Sequence, residues 1–358
     1  MSTKSPSTVN EQKASVSTQY ARILLDREIQ ESIKNAENTL INAPTGLGKS
    51  YTVATRTWRK WPEVTGGEPV VHLSETKKAR DEAAKHSDSA DLEYKVFKGR
   101  EDACPVAAGD HDDRLTAPDG TDPSEWFDQK CDVERLSFSF AHRKLAEDHG
   151  GLPCMEDEPC EAVTQWEHGL RAEDGSPRYD IVHATVDLAY VPKLHEGTNV
   201  VFDEQPSYRT DLDQEQYRRA LNDLLERRSD GGHTWAELVH AVRHEKTELL
   251  DEYYKLVEED TDLGSHFEAN TAHWDTAAIT RAIATAEEGR NDRYQGQDGL
   301  LMVVLNHKND LVVLQLPDLS EARCVIGLDA HPSKLRWELN TVPDLQEVEI
   351  LTPDQRQD

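Results

Sequence analysis

Eight consecutive residues, Ala43-Pro-Thr-Gly-Leu-Gly-Lys-Ser50, constrain this chain more than any other stretch of it. They follow a short run, Asn38-Thr-Leu-Ile-Asn42, that reads as a strand, and they precede a stretch of helical character through about Trp58. A turn between strand and helix with two closely spaced glycines can aim successive backbone N–H groups at one point. Such a cradle suits phosphate oxygens, with Lys49 as a mobile cation and Ser50 as the hydroxyl that a phosphate-bound Mg²⁺ requires. Ala43 stands where the usual pattern has its first glycine. The candidate phosphate-binding residues are therefore Ala43, Pro44, Thr45, Gly46, Leu47, Gly48, Lys49 and Ser50.

A second signal lies about 150 residues downstream in Val200-Val-Phe-Asp203-Glu204, an apolar strand ending in two acids. Taken alone, two acids at a strand end most often mark a solvated turn. Beside a phosphate cradle they have a use: Asp203 can hold Mg²⁺ through water, and Glu204 can orient and deprotonate a water that attacks the γ-phosphorus. The two motifs together point to hydrolysis of a nucleoside triphosphate, with Lys49, Asp203 and Glu204 as catalytic candidates.

The elements around these motifs alternate as strand, loop, helix, strand, helix. That order begins a parallel α/β sheet. Residues 1–17 are a polar tail, 18–98 the first part of the α/β domain, and 99–178 an insertion rich in Asp, Gly, Pro and cysteine that reads as poor in core-forming residues, with one helix over about Asp132–Glu147. Residues 179–208 return to the α/β pattern. A second, all-α insertion follows over 209–298, with Trp235, Leu238, Val239 and Val242 on one helical face. Strands at 300–306, 311–316 and 324–328 place residues 299–345 in the α/β domain again, and 346–358 read as a C-terminal tail.

Charge and cysteine content narrow the setting. Lys+Arg 40 against Asp+Glu 69 gives a net charge of −29, which by itself would repel nucleic acid. In about 1 M salt the Debye length is only about 3 Å, so this repulsion is screened and local basic clusters decide binding. The acidity reads as the signature of a protein kept soluble in a salt-rich cytoplasm, the alternative being an acidic partner-binding protein. Neither a signal peptide nor a 20-residue apolar span is visible, so a cytoplasmic location without membrane insertion is expected. Without a secretory signal, the five cysteines favour thiolate chemistry or burial over disulfides. Cys324, in an apolar strand, reads as a core residue.

The phosphate loop, the Asp203-Glu204 pair and Lys98-Gly-Arg-Glu-Asp-Ala-Cys104 together resemble the XPD/DinG-type superfamily 2 DNA helicases. The resemblance extends over about residues 20–340, because a four-cysteine insertion and a helical arch fall in the corresponding order. It implies a RecA-like P-loop NTPase sheet, ATP and Mg²⁺ as ligands, and single-stranded DNA as partner. It further implies that Arg27 and Gln30 recognise adenine, that Thr76 and Lys77, with Lys78 beside them, touch the DNA backbone, and that Asp329-Ala-His-Pro332 couples hydrolysis to strand movement. In the family the four cysteines hold an iron–sulfur cluster, so Cys104, Cys131, Cys154 and Cys160 are the corresponding ligands here. Their spacing, Cys-x26-Cys-x22-Cys-x5-Cys, lacks a close Cys-x-x-Cys pair. Both a [4Fe–4S] cluster and tetrahedral Zn²⁺ stay open, with the resemblance favouring iron–sulfur.

The family also carries a second RecA-like domain whose arginine is worth roughly 10³–10⁵ in rate. No Gln-x-x-Gly-Arg-x-x-Arg pattern follows Pro332. The expectation is the first half of a helicase motor, completed by a separate chain or left as a remnant. The alternative is a DNA- or partner-binding module that holds ATP without sustained turnover.

Overall fold

The computed structural model describes residues 17–133, 137–212, 218, 221–222, 233–258, 276–289 and 293–351. The tail expected over 1–17 lies outside these residues apart from Ser17. The chain divides into two units, one of Met1–Phe97, Leu170–Pro206 and Leu319–Asp358, the other of Lys98–Gly169 and Ser207–Asp318.

In chain order the first unit supplies β1 (Thr39–Asn42), β2 (Val70–Ser74), β3 (Tyr94–Val96), β4 (Ile181–Thr185) and β5 (Asn199–Asp203). The second supplies β6 (Arg209–Leu212), β7 (Glu287–Glu288), β8 (Tyr294–Asp298), β9 (Leu301–Leu305) and β10 (Leu311–Gln315). The chain then returns to the first unit through β11 (Cys324–Asp329) and β12 (Gln346–Glu349).

The first unit is the expected α/β domain. Its seven strands lie in the order β12-β1-β11-β5-β2-β4-β3, and every neighbouring pair is parallel. Parallel pairing requires crossovers, and α2 (Lys49–Ala54) after β1 and α3 (Lys77–Ser89) after β2 lie within two of them. Strands β2, β4, β5 and β11 are buried along their whole length, as strands covered on both faces must be. Before them runs α1 (Thr18–Asn35), started by Ser17, whose hydroxyl accepts the Tyr20 N–H at 3.2 Å. The buried stripe of α1 is Ala21, Leu25, Ile29, Ser32 and Ile33, whereas Ile23 is exposed. The segment expected as a C-terminal tail begins instead with an edge strand, for Gln346–Glu349 pairs with Thr39–Asn42. Residues 352–358 lie outside the described part.

The second unit departs further from expectation. The lobe expected to be all-α carries a five-stranded antiparallel sheet, β6-β10-β9-β8-β7, and the helices α5 (Trp235–Arg243), α6 (Thr247–Glu258) and α7 (Thr276–Ala284). Helices and sheet share a core in which Leu238, Val242, Tyr253 and Ile283 meet Leu301, Val303 and Leu311. Strands β9 and β10, expected in the parallel sheet, thus belong here, and the lobe runs to 318 rather than 298. The reason is pairing: β8, β9 and β10 are joined by short turns that make antiparallel neighbours, so they never reach the parallel sheet.

The cysteine-containing segment of this unit is helical and irregular. Its principal helix, α4 (Phe138–His149), begins later than expected, at an Ser137 cap that accepts the Phe140 N–H at 3.3 Å. Contrary to expectation it has a small core of its own, built on Trp126, Phe127, Leu145 and Leu152 with Cys104 and Cys160. Gln165 closes the segment, accepting from Lys98 N–H at 3.0 Å and donating to Lys98 O at 2.9 Å. In the first unit a further helix, α8 (Lys334–Asn340), follows β11.

Candidate functional site

The Ala43–Ser50 loop follows β1 and leads into α2 at the carboxyl edge of the parallel sheet, where open α/β sheets bind ligands. Its start is fixed by a hydrogen bond from Ala43 N–H to Asp329 O at 2.8 Å, continuing the β1–β11 pairing. Gly46 and Gly48 hold φ of +78° and +92°, a left-handed backbone that a side chain would strain. Helix α2 starts at Lys49 and stops at Ala54, shorter than the expected run to Trp58. With so short a helix, the loop amides and Lys49 carry the attraction for an anion more than a macrodipole does.

The two motifs separated in sequence meet here. Ser50 Oγ–H donates to Asp203 Oδ2 at 2.5 Å, and Lys49 Nζ lies 3.2 Å from Glu204 Oε1 and 3.4 Å from Ala43 O. Lys49 and Asp203 are buried, while Glu204 is about half-exposed and carries an unusual φ of +74° just past the strand end. Burial pushes the Glu204 carboxyl above its ordinary range, and Asp329 and Asp203 push the same way, against the pull of Lys49. Three carboxylates around one ammonium leave an excess of negative charge. That donor set, with the Ser50 hydroxyl, fits a hard divalent cation held through oxygen.

Asp329 is itself anchored. Its Oδ1 accepts from His331 N–H at 2.9 Å and its Oδ2 from Trp337 Nε1–H at 2.9 Å, Trp337 being buried in α8. Trp337→Phe takes the donor from a buried carboxylate oxygen. The expected result is a loss of about 1–3 kcal/mol of stability in chemical denaturation.

Behind Asp203 runs a chain of buried polar groups that the sequence does not suggest. His72 Nε2 lies 3.8 Å from Asp203 Oδ2, His72 Nδ1 lies 3.2 Å from His183 Nδ1, and His183 Nε2 lies 2.8 Å from Ser87 Oγ, which also bonds Ala54 O at 2.6 Å. Both imidazoles are fully buried, on directly paired residues of β2 and β4.

Beside the loop, α1 and α2 border a groove of about 520 Å³ lined by Gln19, Arg22, Asp26, Tyr51 and Arg56 among others. Arg22 Nε–H donates to Leu47 O at 3.1 Å, and Arg56 pairs with Asp26. Arg27 and Gln30 do not line this groove. Arg27 is exposed and bonds Glu31 at 2.8 Å, and Gln30 Nε2–H donates to Asp26 Oδ2 at 2.9 Å. The α1 residues on the groove are Gln19, Arg22, Ile23 and Asp26, spaced by threes and fours along one face of the helix.

Thr76 caps α3, accepting Ala79 N–H at 3.2 Å, and Lys77 and Lys78 stand exposed in its first turn. Arg80, which reads in sequence as part of the same basic cluster, is buried and pairs with Asp81 at 2.7 Å.

In the other unit, ligand atoms of Cys104, His142, Cys154 and Cys160 all lie within 4.8 Å of one another. Cys131, expected as a ligand, packs against the surrounding apolar cluster and is not one of the four; His142 takes that place. The reason is helix phase: Phe138, Ala141, His142 and Leu145 share the inward stripe of α4. His142 Nε2 lies 3.1 Å from Cys154 Sγ, and its ring stacks on Phe127 at 6.2 Å between centroids. Hydrogen bonds from Cys104 and Cys154 hold the Cys160 thiol well below its ordinary range, and the same crowding with burial raises Cys154.

No described helix is long and apolar enough to cross a membrane. Neither a protein-family model nor a curated protein matches the chain. Among solved structures it is similar to one described as an XPD helicase, at 13% identity and a TM-score of 0.42, over 92% of this chain and 62% of that one. It is similar also to Xpd4 of S. tokodaii, at 11% identity and a TM-score of 0.39, over 92% of this chain and 60% of that one. The chain therefore spans less than two thirds of the length of either.

Proposed function

We propose that this chain is the ATP-binding and ATP-hydrolysing first half of an ATP-dependent, XPD/DinG-type DNA helicase, working on single-stranded DNA with a second RecA-like domain. One observation carries the reading: Lys49 and Ser50 of the glycine loop stand against Asp203 and Glu204 of a strand end 153 residues away. Few arrangements other than triphosphate chemistry call for an ammonium, a hydroxyl and two acids beside a glycine loop that leads from a strand into a helix.

In the proposed reaction Ser50 and Asp203 would hold Mg²⁺, which neutralises charge on the β- and γ-phosphates. Lys49 meets the negative charge that develops on the transferring phosphoryl oxygens. Glu204 accepts a proton from water as the water oxygen bonds to the γ-phosphorus and the bond to the bridging oxygen breaks, releasing ADP and phosphate. An arginine from the second domain would add roughly 10³–10⁵ in rate, so this chain alone is expected to turn over slowly.

The first turn of α3 supports a nucleic-acid contact. Lys77 and Lys78 sit at the positive end of a 13-residue helix, where cations are disfavoured by about 0.3–1 kcal/mol unless an anion lies close. A DNA phosphate would provide that anion.

The test is ATP hydrolysis in molar KCl, the condition suited to a chain of net charge −29, with and without single-stranded DNA and a second RecA-like chain. DNA-stimulated turnover that disappears in Lys49→Ala is the expected result. Tight ATP binding without turnover in every combination would replace the motor with a nucleotide-liganded module. Binding measurements also separate the faces of α1: Arg22→Ala is expected to weaken ATP binding at least about fivefold, equivalent to roughly 1 kcal/mol, and Arg27→Ala to leave it within twofold.

A further inference from the structure

We infer that Cys104, His142, Cys154 and Cys160 hold a single zinc ion, with Cys131 outside its coordination sphere. A four-thiolate [4Fe–4S] centre does not fit these residues, for two reasons that can be read separately.

The first is the size of the site. Three sulfurs and one imidazole nitrogen close to within 4.8 Å of one another. Around tetrahedral zinc, with Zn–S about 2.3 Å and Zn–N about 2.0–2.1 Å, neighbouring donor atoms stand roughly 3.4–3.8 Å apart. A cubane needs far more room, since each thiolate binds a different iron and the irons and sulfides lie between the donors. This group encloses one ion.

The second is the donor set. Three thiolates and one imidazole are a common structural zinc shell. His142 is 3% exposed, and its ring is held by Phe127 and Phe138 so that Nε2 faces the Cys154 sulfur at 3.1 Å. Each donor comes from a different short element: the end of the turn at Arg100–Ala103, α4, the turn at Pro153–Met155 and the start of the turn at Glu161–Thr164. Among the described residues no strand of either sheet passes through this segment, so a bound ion would tie together pieces that a small apolar core alone holds weakly.

Zinc held this way is closed on all four sides and has no open position for chemistry. Its role is to fix the segment. The centre stands or falls independently of nucleotide binding, because it shares no residue with the loop at 43–50.

The full chain, purified without oxygen and without added metal, is the material for the test. Elemental analysis is expected to give about one zinc per chain, with a colourless solution. Exchange with Co²⁺ is expected to give the visible ligand-field bands and sulfur charge transfer of a tetrahedral S₃N site. In chelator competition, His142→Ala is expected to weaken zinc retention at least about 10-fold, since even outer-shell partners are worth 10–100-fold, and His142→Cys to restore it. Cys131→Ser is expected to stay within twofold of the parent. Iron and sulfide in the protein with broad absorbance near 400 nm, a Cys131→Ser loss as large as that of Cys104→Ser, or failure of the intact chain to retain zinc would each overturn the assignment. The metal content and cobalt spectrum of the parent chain decide the question even where a variant does not fold.

Discussion

Glu204→Gln is expected to lower ATP turnover by about 10²–10⁴ while leaving ATP binding nearly intact. Glutamine keeps the shape and a hydrogen-bonding oxygen but cannot accept the proton of the attacking water. Lys49→Ala is expected to cost at least about 10²-fold, as loss of a group that meets transition-state charge does, and to weaken binding as well. The two side chains lie 3.2 Å apart and serve one step, so the double variant is expected to be scarcely slower than the worse single one. Independent, multiplying effects would mean that the two residues do not act on a common step.

The pH profile supplies a second measure of the same groups. Burial, Asp329 and Asp203 raise the Glu204 carboxyl, and Lys49 only partly opposes them. The active base is the deprotonated form, so turnover falls as pH drops through a value above the usual glutamate range. In Glu204→Gln that acid limb should vanish and leave a flat residual rate. An unchanged limb in the variant would assign the titration to another group.

The parts of this molecule that could be read from sequence are those where chemistry demands fixed residue types in a fixed order. Ala43–Ser50 and Asp203–Glu204 are of that kind, and the structure brings them into contact. The parallel strands at 70–74, 181–185, 199–203 and 324–329 are largely apolar, as burial on both faces demands, with His72 and His183 as polar interruptions.

What could not be read depended on partners distant in the chain or on helical phase. Leu301-Met-Val-Val-Leu305 looks like a buried parallel strand, yet it alternates between core and half-exposed positions in an antiparallel sheet; local apolarity carries no record of which strand lies alongside. Gln346–Glu349 looked like a tail because edge strands carry charge. His142 was hidden by the ordinary look of a histidine among Phe138, Ala141 and Leu145. The usable signal was its place on that inward stripe, which brings its ring beside three of the segment's four cysteines. On α1, Gln19, Arg22, Ile23 and Asp26 line the groove beside the loop, whereas Arg27 and Gln30, which the resemblance assigns to adenine, do not.

Acidification is expected to destabilise the parallel-sheet unit steeply below about pH 6.5, through His72 and His183. Both rings are fully buried, and an Nδ1 to Nδ1 distance of 3.2 Å allows one nitrogen to donate and the other to accept, an arrangement that a proton on every nitrogen would destroy. Burial lowers both; Asp203 on β5 opposes this at His72, while His72 and Arg80 lower His183 further, with Ser87 of α3 and Tyr94 of β3 packed against it. The folded pair therefore stays neutral at a pH where the unfolded imidazoles, near 6.5, take up protons. The sign follows: the unfolded state binds more protons below that value, so this stabilisation is complete above it and is lost as pH falls toward the depressed folded values. With two protons involved the slope is about 2.7 kcal/mol per pH unit. Urea unfolding of the full chain in molar KCl, where surface charges are screened to about 3 Å, is the measurement. His183→Gln keeps a donor and an acceptor in place and removes one titrating ring, so the slope between pH 6.5 and 5.5 should fall by about half. A slope that the substitution leaves unchanged would show that the pair is not what acid attacks.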